Sequence, residues 1–200
     1  SSFINKEIKL NIALRYDYFN YQFNNALLNS TPSSKNNFSQ FTPKIGFTYN
    51  KIHWGGYANL STGFAPPQIT EIYNAIRVPY LLPQTFKNTE IGAWFQQGNW
   101  QGEFSVYQLL GENEIISVRQ TDGVNLNQNS GSTKHIGIEY QLKYKLNSQL
   151  AFNWNGTHAK HTYQRTTIKG IEVSGNEMVA APRFWSNFTA VWKASKSLFT

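Results

Sequence analysis

The sequence predicts an all-β fold, an antiparallel up-and-down transmembrane β-barrel segment with short turns at one end and long loops at the other. Three observations carry this. Apolar and polar residues alternate with period two over long runs, the signature of strands with two chemically different faces. Four short polar turns, at Asn50–Lys51, Gly98–Asn99, Asn147–Ser148 and Ser195–Lys196, recur about every 48 residues, and the longer polar stretches 20–40, 64–87, 120–131 and 164–178 alternate with them. Aromatic residues gather beside the short turns, as in the girdles where a barrel meets the lipid–water boundary.

Taken in order, the first strand covers Ile8 to Tyr18, where every even position is apolar or aromatic and every charge is odd. Strands at 41–50 and 53–63 flank the first short turn, and strands at 87–97 and 100–119 flank the second. Those at 136–146 and 150–164 flank the third, and 181–194 leads into the fourth, giving eight strands. The clearest alternation puts Ile136, Ile138, Tyr140, Leu142 and Tyr144 on one face, expected to meet lipid, and Glu139, Gln141 and Lys143 on the other. Tyr49 and Trp54 sit by the first short turn, Trp100 by the second, Tyr144 and Phe152 by the third, Trp192 and Phe199 by the fourth.

Composition excludes several function classes. Charged residues are 14% and aromatics 16%, against about 25% charged in ordinary soluble domains. No apolar run approaches the roughly 20 residues of a spanning helix. The net charge of +7 is scattered, with no basic cluster interleaved with aromatics, so nucleic acid is not an expected partner. Cysteine is absent, which removes disulfides and thiol chemistry. The chain opens Ser1-Ser2-Phe3 without a methionine and reads as an excised or processed piece.

Residues with chemical potential are sparse. His158 and His161 are three apart, on opposite faces of a strand, and so cannot share an ion there. His53 and His135 read as solitary polar boundary residues, so no metal site is expected. Glu112 and Glu114 lack a pocket that would shift one of them into an acid or base role, and no glycine-flanked nucleophile motif occurs. No enzyme and no cofactor is expected. Arg15, Lys44, Glu90, Glu103, Glu139 and Lys143 all fall on the polar registers of their strands.

Several motifs then resemble a TonB-dependent outer-membrane receptor. Leu14-Arg15-Tyr16-Asp17-Tyr18 is similar to that family's arginine-tyrosine-aspartate strand, and Phe41-Thr42-Pro43-Lys44-Ile45-Gly46-Phe47 to the strand that follows. Ser61-Thr62-Gly63-Phe64-Ala65-Pro66-Pro67 resembles the phenylalanine-arginine-alanine-proline box, without its arginine. Leu82-Pro83-Gln84 resembles a leucine-x-proline-glutamate box with glutamine in the last place, and Asn88-Thr89-Glu90-Ile91-Gly92 an asparagine-x-glutamate-x-glycine strand. Asn129-Ser130-Gly131 and Gly137-Ile138-Glu139 complete the series.

The resemblance implies a bacterial outer-membrane location and energy-coupled, gated transport of a scarce nutrient, an iron–siderophore complex above all. Partners would be membrane lipid and the TonB energy-transducing complex, reached through a plug domain. The polar registers would face the lumen and the plug, and the loop 64–87 would offer Tyr73, Arg77, Tyr80 and Lys87 to an anionic, planar chelate. No histidine lies between Phe64 and Leu82, which argues against haem. Family barrels have about 22 strands. Residues 1–200 therefore read as a partial barrel from its second half, with plug and C-terminal strands absent. Two other readings fit the strands: a passive, porin-like channel and a soluble all-β module of lectin type.

Overall fold

The computed structural model describes residues 2–3, 6–24, 33–73, 79–129, 131–168, 171–179 and 181–194. In chain order the elements are β1 (Ser2–Phe3), β2 (Ile8–Phe23), β3 (Ser34–Asn50), β4 (Trp54–Ala65), α1 (Ile69–Tyr73), β5 (Gln84–Gln97) and β6 (Trp100–Glu112). There follow β7 (Ile115–Arg119), β8 (Asn125–Asn129), β9 (Ser132–Lys145), β10 (Leu150–Arg165), β11 (Thr167–Ile168), β12 (Ile171–Glu172) and β13 (Phe184–Trp192). Eight of these are long, and with β1 they form one antiparallel sheet in the order β1-β2-β3-β4-β5-β6-β9-β10-β13. Sequential long strands are neighbours throughout, the up-and-down topology that the alternating short and long connections predict. The sheet is open, since β1 and β13 stand at opposite ends of the order. The first three short turns lie together at one end; the fourth, Ser195–Lys196, falls outside the described residues, as does Phe199.

Register fixes the two faces. Leu10, Ile12, Leu14 and Tyr16 stand opposite Phe47, Ile45, Pro43 and Phe41. The same face continues through Ile45↔Leu60, Ala58↔Ile91, Ile91↔Val106, Val106↔Ile138, Leu142↔Trp154 and Trp154↔Phe188. These side chains have no core to enter. Ile12 is 67% exposed and Phe188 65%, and among the described residues the buried apolar side chains of any size are Ile72, Leu81, Val118, Ala159 and Pro67. A single-layer wall with a continuous apolar side fits lipid, not water. Charge placement agrees: on this face of the long strands the charged residues are Lys35, Lys87, Glu112, Lys134, Lys160 and, past a bulge, Arg165, all in the long-loop half of the wall. Toward the short turns the face carries aromatics, with Trp100 against Tyr144 at 4.3 Å and Tyr49 against Trp54 at 5.6 Å between ring centroids.

The structure corrects two boundaries. The stretch 20–40 is not all loop, because β2 runs on to Phe23 and β3 begins at Ser34. Beyond Tyr18 the polarity of the faces inverts. Asn20 and Gln22 are exposed on the formerly apolar side, while Phe19, Tyr21 and Phe23 are half-buried on the other. An alternation read for one constant sign ends where the wall leaves the lipid. The expected strand 100–119 is also broken. β6 stops at Glu112, and Asn113 adopts a left-handed φ of 59°, a conformation asparagine tolerates better than most residues. Ile115–Arg119, the end of the expected strand, instead pairs with Asn125–Asn129, inside the expected loop 120–131, as a separate hairpin.

Glycines on the polar face give aromatic rings their seats. Tyr57 pairs directly with Gly92, and a Cβ there would lie 2.3 Å from the tyrosine ring. Tyr107 covers Gly137, its partner across β6 and β9, in the same manner. Covering a strand glycine with a cross-strand aromatic restores the packing that the missing side chain forfeits. The glycines of the two motifs around Glu90 and Glu139 are thus explained by ring packing.

Candidate functional site

The polar face gathers the six residues expected there. Arg15, Lys44, Glu90, Glu103, Glu139 and Lys143 all occupy the side opposite the apolar one. Arg15 Nε lies 2.8 Å from Asp17 Oδ2 on the same strand. Two carboxylates converge on Tyr57, whose hydroxyl lies 2.9 Å from Glu90 Oε1 and 3.2 Å from Glu103 Oε1. With Glu139, Asn155 and Trp185 they line a recess of about 410 Å³. One hydroxyl proton serves two carboxylates, so the recess keeps unspent acceptor capacity and attracts cationic or donor groups. Nothing in the alternation pattern singled out Tyr57. It emerges only from the cross-strand register.

At the long-loop end, the motif residues form a joint. Gln68 precedes α1 and its backbone N–H donates to Glu71 Oε2 at 2.7 Å, half of a capping box. The joint is closed by Asn129, which accepts from the Leu82 N–H at 2.8 Å and donates to the carbonyls of Leu82 and Asn113 at 2.9 and 2.6 Å. Asn127 donates to the Glu71 carbonyl at 2.9 Å, and the Ile115 N–H reaches Gln84 Oε1 at 3.3 Å. The boxes around Phe64 and Leu82 are therefore tied to the β7–β8 hairpin.

Of the expected loop ligands, Tyr80 is 88% exposed and unencumbered by packing. Tyr73 is engaged: its hydroxyl accepts from Ser34 Oγ at 2.9 Å and Asn36 Nδ2 at 2.8 Å, and its ring stacks on Phe23 at 4.4 Å. Lys87 is not a loop residue. It lies on β5 opposite Thr62 and Leu110, on the apolar side of the wall, because β5 starts at Gln84. Arg77 falls outside the described residues.

The histidines depart from expectation most. His158 and His161 do point to opposite faces, being paired with Ile138 and His135. His135, expected to be solitary, directly opposes His161, and their Nδ1 atoms are 2.7 Å apart. Thr133 Oγ1 lies 3.1 Å from His135 Nε2 and also bonds Glu114 Oε1, which stands 3.6 Å from the same nitrogen. Gly111 makes room, since a Cβ there would meet Glu114 Oε1 and Thr133 Oγ1. Burial pushes the Glu114 carboxyl up, but the nearby His135 ring N–H and the hydrogen bond from Thr133 more than offset this and hold it below its ordinary value. The register break after Glu112, by turning Glu114 inward, creates this cluster.

A family model described as TonB dependent receptor-like, beta-barrel matches residues 3–197. Among solved structures the chain is similar to the ferric-catecholate import receptor Fiu of E. coli, at TM-score 0.69 and 14% identity, covering 96% of this chain and 31% of that one. It is similar to the ferric yersiniabactin uptake receptor FyuA of Yersinia pestis, at TM-score 0.68 and 14% identity, covering 94% and 29%. The copper transporter OprC gives TM-score 0.68 and 14% identity over 79% and 26%. The chain spans between about a quarter and a third of the length of these structures.

Proposed function

The chain belongs to the TonB-dependent receptor-like β-barrel family of the bacterial outer membrane, and on that premise we propose that it forms part of the wall of an energy-coupled, gated importer whose cargo is an iron–siderophore complex. The observation that supports this reading best is the two-sidedness of one continuous wall. Its apolar side is charge-free between the long-loop ends and the short turns, where a lysine or arginine would cost about 2–4 kcal/mol at the membrane midplane. Its polar side carries Arg15, Lys44, Glu90, Glu103, Glu139 and Lys143, with the recess under Tyr57. A plug domain elsewhere in the protein would seat on that side by hydrogen bonds and ion pairs, and the TonB complex would displace it to open the path. The family is one of transport receptors, not enzymes.

The loop joint would present the cargo-facing surface, with Tyr80 its most available aromatic and Tyr73 a strut that positions the loop. Two of the similar structures take up ferric chelates by their names, and the absence of histidine between Phe64 and Leu82 disfavours haem. A copper species is the second cargo to test, since a copper transporter shares the fold to the same degree. The decisive experiment deletes the complete gene and follows uptake of radiolabelled ferric catecholate, ferric hydroxamate and copper in cells with and without a proton uncoupler. The reading requires that ferric chelate uptake be lost both on deletion and on uncoupling. Uptake that survives uncoupling would mean a passive channel.

A further inference from the structure

We propose that His135 and His161 form a two-nitrogen seat for a borderline transition-metal cation, Zn²⁺ or Cu²⁺, on the polar side of the wall near its long-loop end. The partners of His135 fix its tautomer. Glu114 is a carboxylate acceptor, so the Thr133 hydroxyl donates to it, and the free lone pair of that hydroxyl accepts from His135 Nε2. A proton on Nε2 leaves Nδ1 of the neutral ring as a bare lone pair, and that atom faces His161 Nδ1 at 2.7 Å. Two bare nitrogens cannot stand so close. Something positive must lie between them, either a single proton carried by His161 or a metal ion.

The surroundings favour a metal. A histidine ligand characteristically donates its outer ring nitrogen toward a carboxylate, directly or through a hydroxyl, which fixes the ring and raises its basicity. Glu114 and Thr133 supply that arrangement to His135, while the Pro182 backbone carbonyl interacts favourably with the His161 ring. Neutral imidazole pairs suit Zn²⁺ and Cu²⁺. With metal–nitrogen bonds of about 2.0–2.1 Å and tetrahedral geometry, the nitrogens need to open by about 0.6 Å, within the reach of side-chain rotations. Charge is permissive: Glu114 faces one ring and Glu177 lies near the other, the latter shared with Arg183 and Lys160. Among the described residues no third protein donor completes the set, so the remaining positions fall to water. The inference does not depend on the cargo.

The test uses the full-length receptor in detergent, stripped with a chelator and titrated with Zn²⁺ and with Cu²⁺ by equilibrium dialysis. The expected result is one metal equivalent that disappears in His135→Ala and in His161→Ala and persists in His158→Ala, whose side chain lies across the wall. Glu114→Gln should weaken binding about ten-fold or more. Unaltered binding in both His135→Ala and His161→Ala would overturn the proposal, and so would the absence of any bound metal, which would leave a proton in the gap. Because a variant could misassemble, the unmodified receptor is also treated with diethylpyrocarbonate. Zn²⁺ must shield two histidines, and equal modification with and without metal refutes the site.

Discussion

Tyr57 covers Gly92 across the β4–β5 pair, and the same ring delivers its hydroxyl to Glu90 and Glu103 at 2.9 and 3.2 Å. Packing and polarity are joined in one side chain. Gly92→Ala would drive a methyl group into the ring, at about 1–3 kcal/mol for an overpacked site. Tyr57→Phe keeps the ring over the glycine and loses only hydrogen bonds, about 0.5–1.5 kcal/mol. Urea unfolding of the full-length barrel in detergent should therefore rank Gly92→Ala as the more damaging change. The reverse order would mean that the hydroxyl, not the ring seat, anchors the recess.

The two faces can be addressed residue by residue. Ile138 pairs with Val106 and His158 on the apolar side, while its neighbour Glu139 pairs with Ser105 and Thr157 on the polar side. Spin labels at Ile138 and Glu139 of the full-length protein in liposomes should differ in relaxation, with a lipid-soluble quencher acting on the first and a water-soluble one on the second. Equal response at both positions would refute the assignment.

The strand order, the first three short turns and both faces of the wall were legible in the sequence, because the period-two alternation over 8–18 and 136–146 reports the pleat directly. Side-chain pairs across strands were not. The β9–β10 hairpin is centred on Ser148, so His135 and His161 stand at equal distances from the turn and face one another. A turn placed between Asn147 and Ser148 shifts the register by one residue and sets His161 against Lys134. One residue decides whether the histidine is solitary. The loop joint was hidden for a different reason: Asn129 acts through backbone carbonyls and N–H groups of Leu82 and Asn113, which no side-chain pattern encodes.

Glu114 makes the joint acid-sensitive. Burial raises its carboxyl, yet the nearby His135 ring N–H and the hydrogen bond from Thr133 hold it below the ordinary value. A carboxyl depressed in the folded state contributes stability that is fully present above its unfolded pKa, about 4.3, and is lost as pH falls through the lower folded value. Amide exchange in β7, which follows Glu114 directly, and in its partner β8 should therefore accelerate only in that acidic window. Glu114→Gln should flatten the dependence. Acceleration that begins near neutral pH would assign the effect to the imidazoles instead.

The 200-residue polypeptide by itself should not fold in water. Its sheet is open, with β1 and β13 unpaired to one another, so each end presents backbone groups that a closed barrel would satisfy. Its apolar side, with Leu14 at 67% and Trp192 at 68% exposure, has no second layer to cover it. Soluble monomers rarely tolerate apolar patches beyond a few hundred Å². Refolded without detergent, the polypeptide should aggregate and should bind neither a ferric chelate nor the recess-filling groups of a plug. Sedimentation velocity after dilution from urea checks this, with detergent micelles as the parallel arm. A monodisperse monomer with a cooperative unfolding transition in plain buffer would show that the strands close on themselves, and would favour a soluble β module over a segment of barrel wall.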